Sequence, residues 1–294
     1  MAKLKIILIL LAVYIAYQYY DPFDPEEVRG KRVVITGASA GIGEQLAYQY
    51  SQLGAKVLIT ARREHVLQKV VAKCKELGAQ DAHYIPLDMG KLEDTKRLID
   101  AAKTKLGGID HVILNHITYD YLAPWNGDME RLQQVMDINF HSYVSLATYA
   151  TPMLNESHGS IAVVSSFAGK VAAPLVAPYC ACKFALDGFF SSLRQEFVMQ
   201  NMDISVTLCV IGKVDTASSH KNTKNVMSAD RYSTPAPDTA NRIMKGATLR
   251  EREIYFPWIM TRPTMMVRDL LPNVLEWLIM SGMDERRKGK AKTS

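Results

Sequence analysis

Lys31-Arg-Val-Val-Ile-Thr36 runs directly into Gly37-Ala-Ser-Ala-Gly41-Ile-Gly43, and the order of these two pieces decides the fold. The first is a short apolar run of strand type. Residues Ile42 to Leu53 then read as a helix. A glycine-rich turn between strand and helix lets the backbone approach a pyrophosphate. The helix N-terminus adds unpaired N–H groups at the positive end of its dipole. The spacing is G-x-x-x-G-x-G rather than the general G-x-G-x-x-G. Glycines also arise in ordinary turns. Their meaning here comes from the strand before them and the helix after them.

Working outward, apolar strand-like runs recur at 31–36, 56–61, 82–87, 111–115, 159–165 and 204–210. Helical stretches fall between them at 42–53, 64–77, 92–106, 129–152 and 179–201. This alternation predicts an α/β fold, a Rossmann-type doubly wound parallel sheet in a single domain. The chain of 294 residues, 48% hydrophobic and 22% charged, is long enough to bury one sizeable core. No internal repeat interrupts it.

Tyr179-Cys-Ala-Cys-Lys183 is the second informative stretch. Residues four apart share a helix face. A phenol normally titrates near ~10, and a neighbouring ammonium favours its ionised form. Tyr179 is then a candidate proton donor or acceptor near neutral pH. Alone, Y-x-x-x-K also describes a solvated pair on a surface helix. Its weight comes from Ile161-Ala-Val-Val-Ser-Ser166, a strand-like run ending in serines. Ligands of open α/β sheets bind at the carboxyl ends of strands.

Taken together, Thr36 to Gly43, Asn115, Asn139, Ser166, Tyr179 and Lys183 resemble the short-chain dehydrogenase/reductase pattern in order and spacing, over roughly residues 28–257. Leu114-Asn-His-Ile-Thr118 and Lys183-Phe-Ala-Leu-Asp-Gly-Phe-Phe-Ser-Ser192 resemble its 11β-hydroxysteroid dehydrogenase type 1 and 1-like branches. Asp21-Pro-Phe-Asp-Pro25 and Tyr255-Phe-Pro-Trp258 lean toward the 1-like branch. The resemblance implies roles. Tyr179 would be the acid in carbonyl reduction and the base in alcohol oxidation. Lys183 would lower its pKa and bind the nicotinamide ribose, and Ser166 would hold the substrate oxygen. Asn139 would support a water relay near Lys183; read alone, it is a helix-interior amide that satisfies backbone. Gly37, Ser39, Ala40, Gly41, Ile42 and Gly43 would cradle the cofactor. Asn115, His116 and Ile117 would lie beside it, and Asp88 and Met89, ending the third strand, would sit against adenine. Gly212, Val214 and Thr216 resemble the family's P-G-x-V-x-T cofactor loop, with Ile211 in place of the proline. Phe167 and Ala173 are candidate substrate contacts. The type 1 branch carries an aromatic hydroxyl where this chain has Ala173.

Charge argues for NADP(H). An NAD-preferring site places an acid after the second strand, against the ribose 2′-hydroxyl. Here that strand is followed by Arg62-Arg63, and no carboxylate appears until Glu64. Arginine suits a 2′-phosphate. Ala40, where type 1 relatives carry a lysine, weakens this preference without reversing it.

The net charge of +5 equals the five basic residues of Arg286-Arg-Lys-Gly-Lys-Ala-Lys292, so the rest of the chain is neutral. The basic balance belongs to a tail and excludes a nucleic-acid surface. That tail reads either as solubilising charge or as attraction to anionic headgroups. Lys290-Ala-Lys292-Thr-Ser294 has the form of a dilysine signal, which needs a cytosolic C-terminus. Leu4 to Tyr17 is nearly all apolar, preceded by lysine and followed by acids. It is short for a span and has the form of a signal-peptide core. Bulky Tyr14, two residues before Ala16, spoils the cleavage candidate there, and Tyr17, Tyr19 and Tyr20 suit an interface. An uncleaved signal-anchor is favoured, with cleavage and secretion as the alternative. The flanking lysines place the catalytic domain in the endoplasmic reticulum lumen, against the dilysine reading. The expected organisation is a membrane segment over 1–20, a catalytic domain over 28–260, and a C-terminal segment over 261–294. Met265 to Met283 reads equally as an interfacial membrane helix or as a dimer or core helix. The polar segment 213–239 is expected to hold a substrate lid.

The four cysteines, Cys74, Cys180, Cys182 and Cys209, form no C-x-x-C and read as buried thiols. No histidine pair has ligand spacing, so no metal is expected. Asn155-Glu-Ser157 is a glycosylation sequon. The expected activity is NADP(H)-dependent interconversion of a ketone and a secondary alcohol on a hydrophobic substrate, a steroid by resemblance, in a homodimer. The alternatives are a reductase of non-steroid lipid ketones, a cofactor-binding protein with little catalysis, and a thiol oxidoreductase using Cys180 and Cys182.

Overall fold

In the computed structural model, residues 21–118, 122–217, 219–220 and 233–291 are described, with Lys5, and side chains are described to residue 281. The apolar N-terminal segment apart from Lys5, residues 218 and 221–232 of the 213–239 segment, and the basic tail's side chains lie outside these residues. Among the described residues, no helix is long and apolar enough to cross a membrane.

The chain alternates strands and helices as the apolar runs predict. It passes through β1 (Arg32–Thr36), α1 (Gly41–Gln52), β2 (Lys56–Ala61), α2 (Glu64–Glu76), β3 (Asp81–Pro86), α3 (Leu92–Leu106) and β4 (His111–Leu114). Helices α4 (Met129–Met136) and α5 (Ser142–Ser157) follow, separated by a π-helical turn at Asp137–His141. Then come β5 (Ser160–Val164), a 3₁₀ turn at Phe167–Gly169, α6 (Ala177–Met199), β6 (Ser205–Ile211) and two short strands, β7 (Val214–Asp215) and β8 (Thr234–Pro235). The chain closes with α7 (Ala236–Thr248), β9 (Glu253–Phe256), α8 (Trp258–Leu270) and α9 (Pro272–Ala291).

Seven strands form one parallel sheet in the order β3-β2-β1-β4-β5-β6-β9. Every residue of β4 and β5 is buried, which marks strands covered on both faces. Alternation sorts the two faces. Val33, Ile35 and Ile59 pack with Leu46 of α1, Val70 of α2 and Ile243 of α7. Val34 and Leu58 pack on the other face with Leu98 of α3, Leu146 of α5 and Phe190 of α6. The strand order reverses between β1 and β4. Such a switch point opens a crevice at the strands' carboxyl ends, where ligands bind.

Three features depart from expectation. The sheet has a seventh strand, β9, absent from the expected runs: four residues led by Glu253 carry too little periodicity to read. The helix expected over 129–152 is interrupted by the π turn, which holds Asn139. The apolar stretch 265–283 is two helices, since Pro272 cannot continue α8. Met265 and Leu275, one from each, pack with Val171, Val210 and Tyr255, so this pair is anchored to the sheet's edge.

Candidate active site

The glycine turn closes over the crevice by contacts that exclude any side chain. Gly37 has φ +67°, and a Cβ there would lie 2.7 Å from His116 Cα. A Cβ on Gly43 would lie 2.5 Å from Gly37 O and 2.6 Å from Asn115 Nδ2. A Cβ on Gly41, at φ +61°, would lie 3.0 Å from Thr216 Cγ2, so the turn sits beside the loop after β6. Ala40 precedes α1 and gives no side-chain cap, so the first N–H groups of that helix have no side-chain acceptor from it. This arrangement fits a pyrophosphate.

Thr36, at the end of β1, joins the turn to β4. Its Oγ1 accepts the N–H groups of Asn115 (2.8 Å) and His116 (3.2 Å) and lies 2.8 Å from His116 Nδ1. Asn115 Nδ2 donates to Thr36 O at 3.0 Å. His116 Nε2 lies 3.1 Å from Ile138 O and 2.7 Å from Ser142 Oγ, which itself donates to Ile138 O. Thr36 Oγ1 also donates to Ile113 O at 3.2 Å, and both ring nitrogens of His116 have hydrogen-bonding partners. Burial, with a contribution from the Lys183 charge, holds His116 down at about 3. It is a neutral brace between β4 and the π turn. Asn139 completes that brace: its carboxamide accepts from Thr118 N at 2.9 Å and donates to Thr118 O at 3.0 Å. That side chain satisfies backbone, as the residue read alone suggests.

Ser166, two residues past β5, caps the 3₁₀ turn Phe167–Gly169. Its Oγ accepts from Ala168 N at 3.1 Å, which leaves the hydroxyl hydrogen to donate elsewhere. Tyr179 and Lys183 lie in the first two turns of α6, Tyr179 partly exposed and Lys183 2% exposed. Lys183 Nζ donates to Val164 O at 2.9 Å and sits 5.8 Å from the centre of the Tyr179 ring and 5.4 Å from that of Tyr143. Burial lowers its pKa to about 8. The Tyr143 hydroxyl donates to His116 O at 2.6 Å, so one tyrosine touches both halves of the site. Nothing in the sequence singles out Tyr143 beyond its place on a core-facing helix.

The remaining candidates fall around this centre with two adjustments. Arg63 Nη2 donates to Ser39 Oγ at 3.0 Å and Ser39 O at 3.3 Å, so a guanidinium rests on the glycine turn. Arg62 is exposed beside it. Asp88 and Met89 lie beyond β3, which ends at Pro86, rather than in its last residues. Asp88 Oδ1 accepts from Gly90 N at 3.1 Å, and Met89 is buried in the core. Gly212 donates to Phe256 O at 2.8 Å, and a Cβ there would meet Pro257 at 3.1 Å. The loop lacking the family's proline is therefore bounded by a proline from β9's end. Val214 is buried, Ile117 is half-buried, and Thr216 Oγ1 accepts from Ser219 N. Phe167 packs against the Val171–Tyr255–Met265 cluster and Ala173 is exposed, its carbonyl 3.9 Å from Cys180 Sγ.

All four cysteines are free and buried. Burial pushes Cys182 up to about 11 and raises Cys180. A thiol so held is a poor nucleophile, which argues against thiol redox chemistry at this helix. No group of three or more metal-ligating side chains occurs among the described residues.

The short chain dehydrogenase family model matches residues 31–226. A hydroxysteroid 11-beta-dehydrogenase 1-like protein of Gallus gallus is 46% identical over 263 residues, 90% of this chain and 91% of that protein. A protein of the same name from Xenopus tropicalis is 43% identical, covering 92% and 94%. Among solved structures, a short chain dehydrogenase/reductase from Burkholderia phymatum in complex with NAD superposes with a TM-score of 0.74 at 20% identity, covering 83% of this chain and 94% of that one. An alcohol dehydrogenase from Thermococcus sibiricus complexed with 5-hydroxy-NADP gives 0.67 at 21% identity, covering 77% and 95%. At such identities the two structures speak for the fold alone.

Proposed function

The chain belongs to the short-chain dehydrogenase/reductase family, oxidoreductases acting on CH–OH groups, and within it we propose an NADP(H)-dependent enzyme that interconverts a ketone and a secondary alcohol on a hydrophobic, steroid-like substrate. One observation carries the reading: a buried Lys183 ammonium beside Tyr179, on the helix against which the turn following Ser166 packs.

A nicotinamide cofactor held by the glycine turn and Lys183 would supply hydride chemistry at the carbonyl carbon. In reduction, Tyr179 gives its phenolic proton to the substrate oxygen while Ser166 donates a hydrogen bond to the same oxygen. The Lys183 charge offsets the phenolate left behind. In oxidation, Tyr179 takes the proton from the alcohol. Asn139 and the π turn hold the backbone beside Lys183, where a water can carry the replacement proton. Arg63 on Ser39 supports the choice of NADP(H), because a 2′-phosphate fits a guanidinium already resting on the turn.

A hydrophobic substrate fits the C-terminal helices. Trp258, Ile259, Met266, Leu270, Trp277 and Leu278 are exposed on α8 and α9, next to the cluster that Phe167 joins. An apolar face of this size suits a bilayer surface or a second copy of the chain. With the N-terminal segment as signal-anchor, the catalytic domain lies in the endoplasmic reticulum lumen, where the exposed Asn155 sequon is usable.

The test is turnover of steroid and non-steroid ketones by the purified full chain with NADPH. Tyr179→Phe is expected to abolish turnover while NADPH still binds; surviving activity overturns the mechanism. In sealed microsomes the domain is expected to resist protease and carry a glycan on Asn155. A freely secreted, cleaved product overturns the anchor.

A further inference from the structure

Immediately after Ser166, the 3₁₀ turn rests on the catalytic helix. A Cβ on Gly169 would lie 2.7 Å from Lys183 O and 3.0 Å from Lys183 Cβ, so the turn touches the backbone of the catalytic lysine. The next residue, Lys170, is 9% exposed. Its ammonium lies 2.5 Å from Asp187 Oδ1, one helical turn past Lys183 on α6, and 3.4 Å from Glu253 Oε1 on β9. Glu253 is completed by the Tyr255 hydroxyl at 2.7 Å. Arg268 of α8 donates to Lys170 O at 2.5 Å. The short segment from Ser166 to Lys170 is thus clamped to the helix that carries Tyr179 and Lys183, to the edge strand, and to the first C-terminal helix.

From this geometry we propose that Lys170 is a positioning residue, holding the Ser166 hydroxyl in register with Tyr179 through its ion pairs to Asp187 and Glu253. The proposal rests on the reading in which Ser166 holds the substrate oxygen. The physical reason is leverage. Ser166 sits on a turn, not in a strand, and its distance from Tyr179 is set by how that turn lies on α6. One clamp at Gly169 allows rotation about the contact; a second, four residues from Ser166 and partly buried, removes it. A displacement of about 1 Å at a reacting group costs roughly 100-fold in rate.

Lys170→Met is expected to lower kcat by about 10- to 100-fold and to leave the NADPH Kd within about twofold, as for sites without shared partners. Lys170→Arg is expected to restore most of the rate. A double-mutant cycle separates positioning from mere stability. In a Ser166→Ala background, Lys170→Met should cost little further kcat, whereas a purely structural role costs the same factor again and overturns the proposal. Hydrogen exchange provides a readout free of activity: Lys170→Met should speed exchange over residues 166–171 and leave 37–43 unchanged. Unchanged exchange over 166–171 overturns the proposal even if the wild type turns over no ketone, a result that by itself counts against the enzymatic reading. Should Lys170→Met fail to fold, the K170M/D187N/E253Q variant, in which all three charges are removed, takes its place in both measurements.

Discussion

Gly43 faces Asn115 so closely that a Cβ on the glycine would sit 2.6 Å from Asn115 Nδ2. The amide that would be struck holds Thr36 O at 3.0 Å, so the glycine turn and the end of β4 are built as one piece. Gly43→Ala must push that piece apart. Overpacking of this kind costs about 1–3 kcal/mol, and the turn that opens is the one proposed to cradle the pyrophosphate. Urea denaturation should report the stability loss, and nucleotide titration should show weaker NADPH binding. An unchanged Kd would mean that the turn is not the cofactor's seat.

Cofactor preference should depend on Arg63 more than on Arg62, since Arg63 is the one that rests on Ser39. A hydrogen bond to a charged group contributes about 1.5–3 kcal/mol. Arg63→Ala should therefore weaken NADPH binding by roughly tenfold or more and leave NADH binding nearly unchanged. Arg62→Ala should have a smaller effect in the same direction. Equal wild-type affinities for the two nucleotides would remove the basis of the preference.

Lys183 places catalysis and stability in opposition. Its pKa falls from 10.5 in the unfolded chain to about 8 in the fold, chiefly through burial. Between those values the unfolded chain binds a proton that the native state does not, so stability rises with pH across that window. Below it, the buried charge costs on the order of 3 kcal/mol. Lys183→Met should abolish turnover yet raise the stability of the cofactor-free protein near neutral pH. That advantage should shrink as pH climbs toward 10.5. Urea midpoints of both proteins at pH 7, 8, 9 and 10 test this, and a constant difference would refute it.

Acid should unfold the protein through its buried histidines. Burial holds His116 at about 3 and His111, bonded to the Tyr50 hydroxyl at 3.0 Å, at about 4. Both start from 6.5 in the unfolded chain, where protons bind first. Their contribution is present in full above pH 6.5 and is lost as pH falls through that value toward 4. His111→Gln should flatten part of the slope between those limits. Denaturation at pH 7, 6, 5 and 4 reads it directly.

The layout of strands and helices was legible because each element carries its own period. Lys56–Ala61 and Leu92–Leu106 fall where the apolar pattern puts them. The motif around Gly37 was legible because strand, turn and helix are contiguous. Elements held by distant partners were not. The strand Glu253–Phe256 exists because β6 offers an edge, and the π turn because Asn139 must reach Thr118 across 21 residues. Tyr143 and Lys170 meet neighbours that are remote in sequence, and no spacing rule points to them.

The sequence by itself determined the fold class, the glycine turn between β1 and α1 and the closeness of Tyr179 to Lys183, because each is a pattern of near neighbours. Only the tertiary structure decided that His116 is a neutral brace, that Arg63 lies on Ser39, and that Lys183 is buried enough to titrate near 8. Those are matters of solvent exclusion and of contact between segments, and both arise when the sheet brings strand ends together at the switch point.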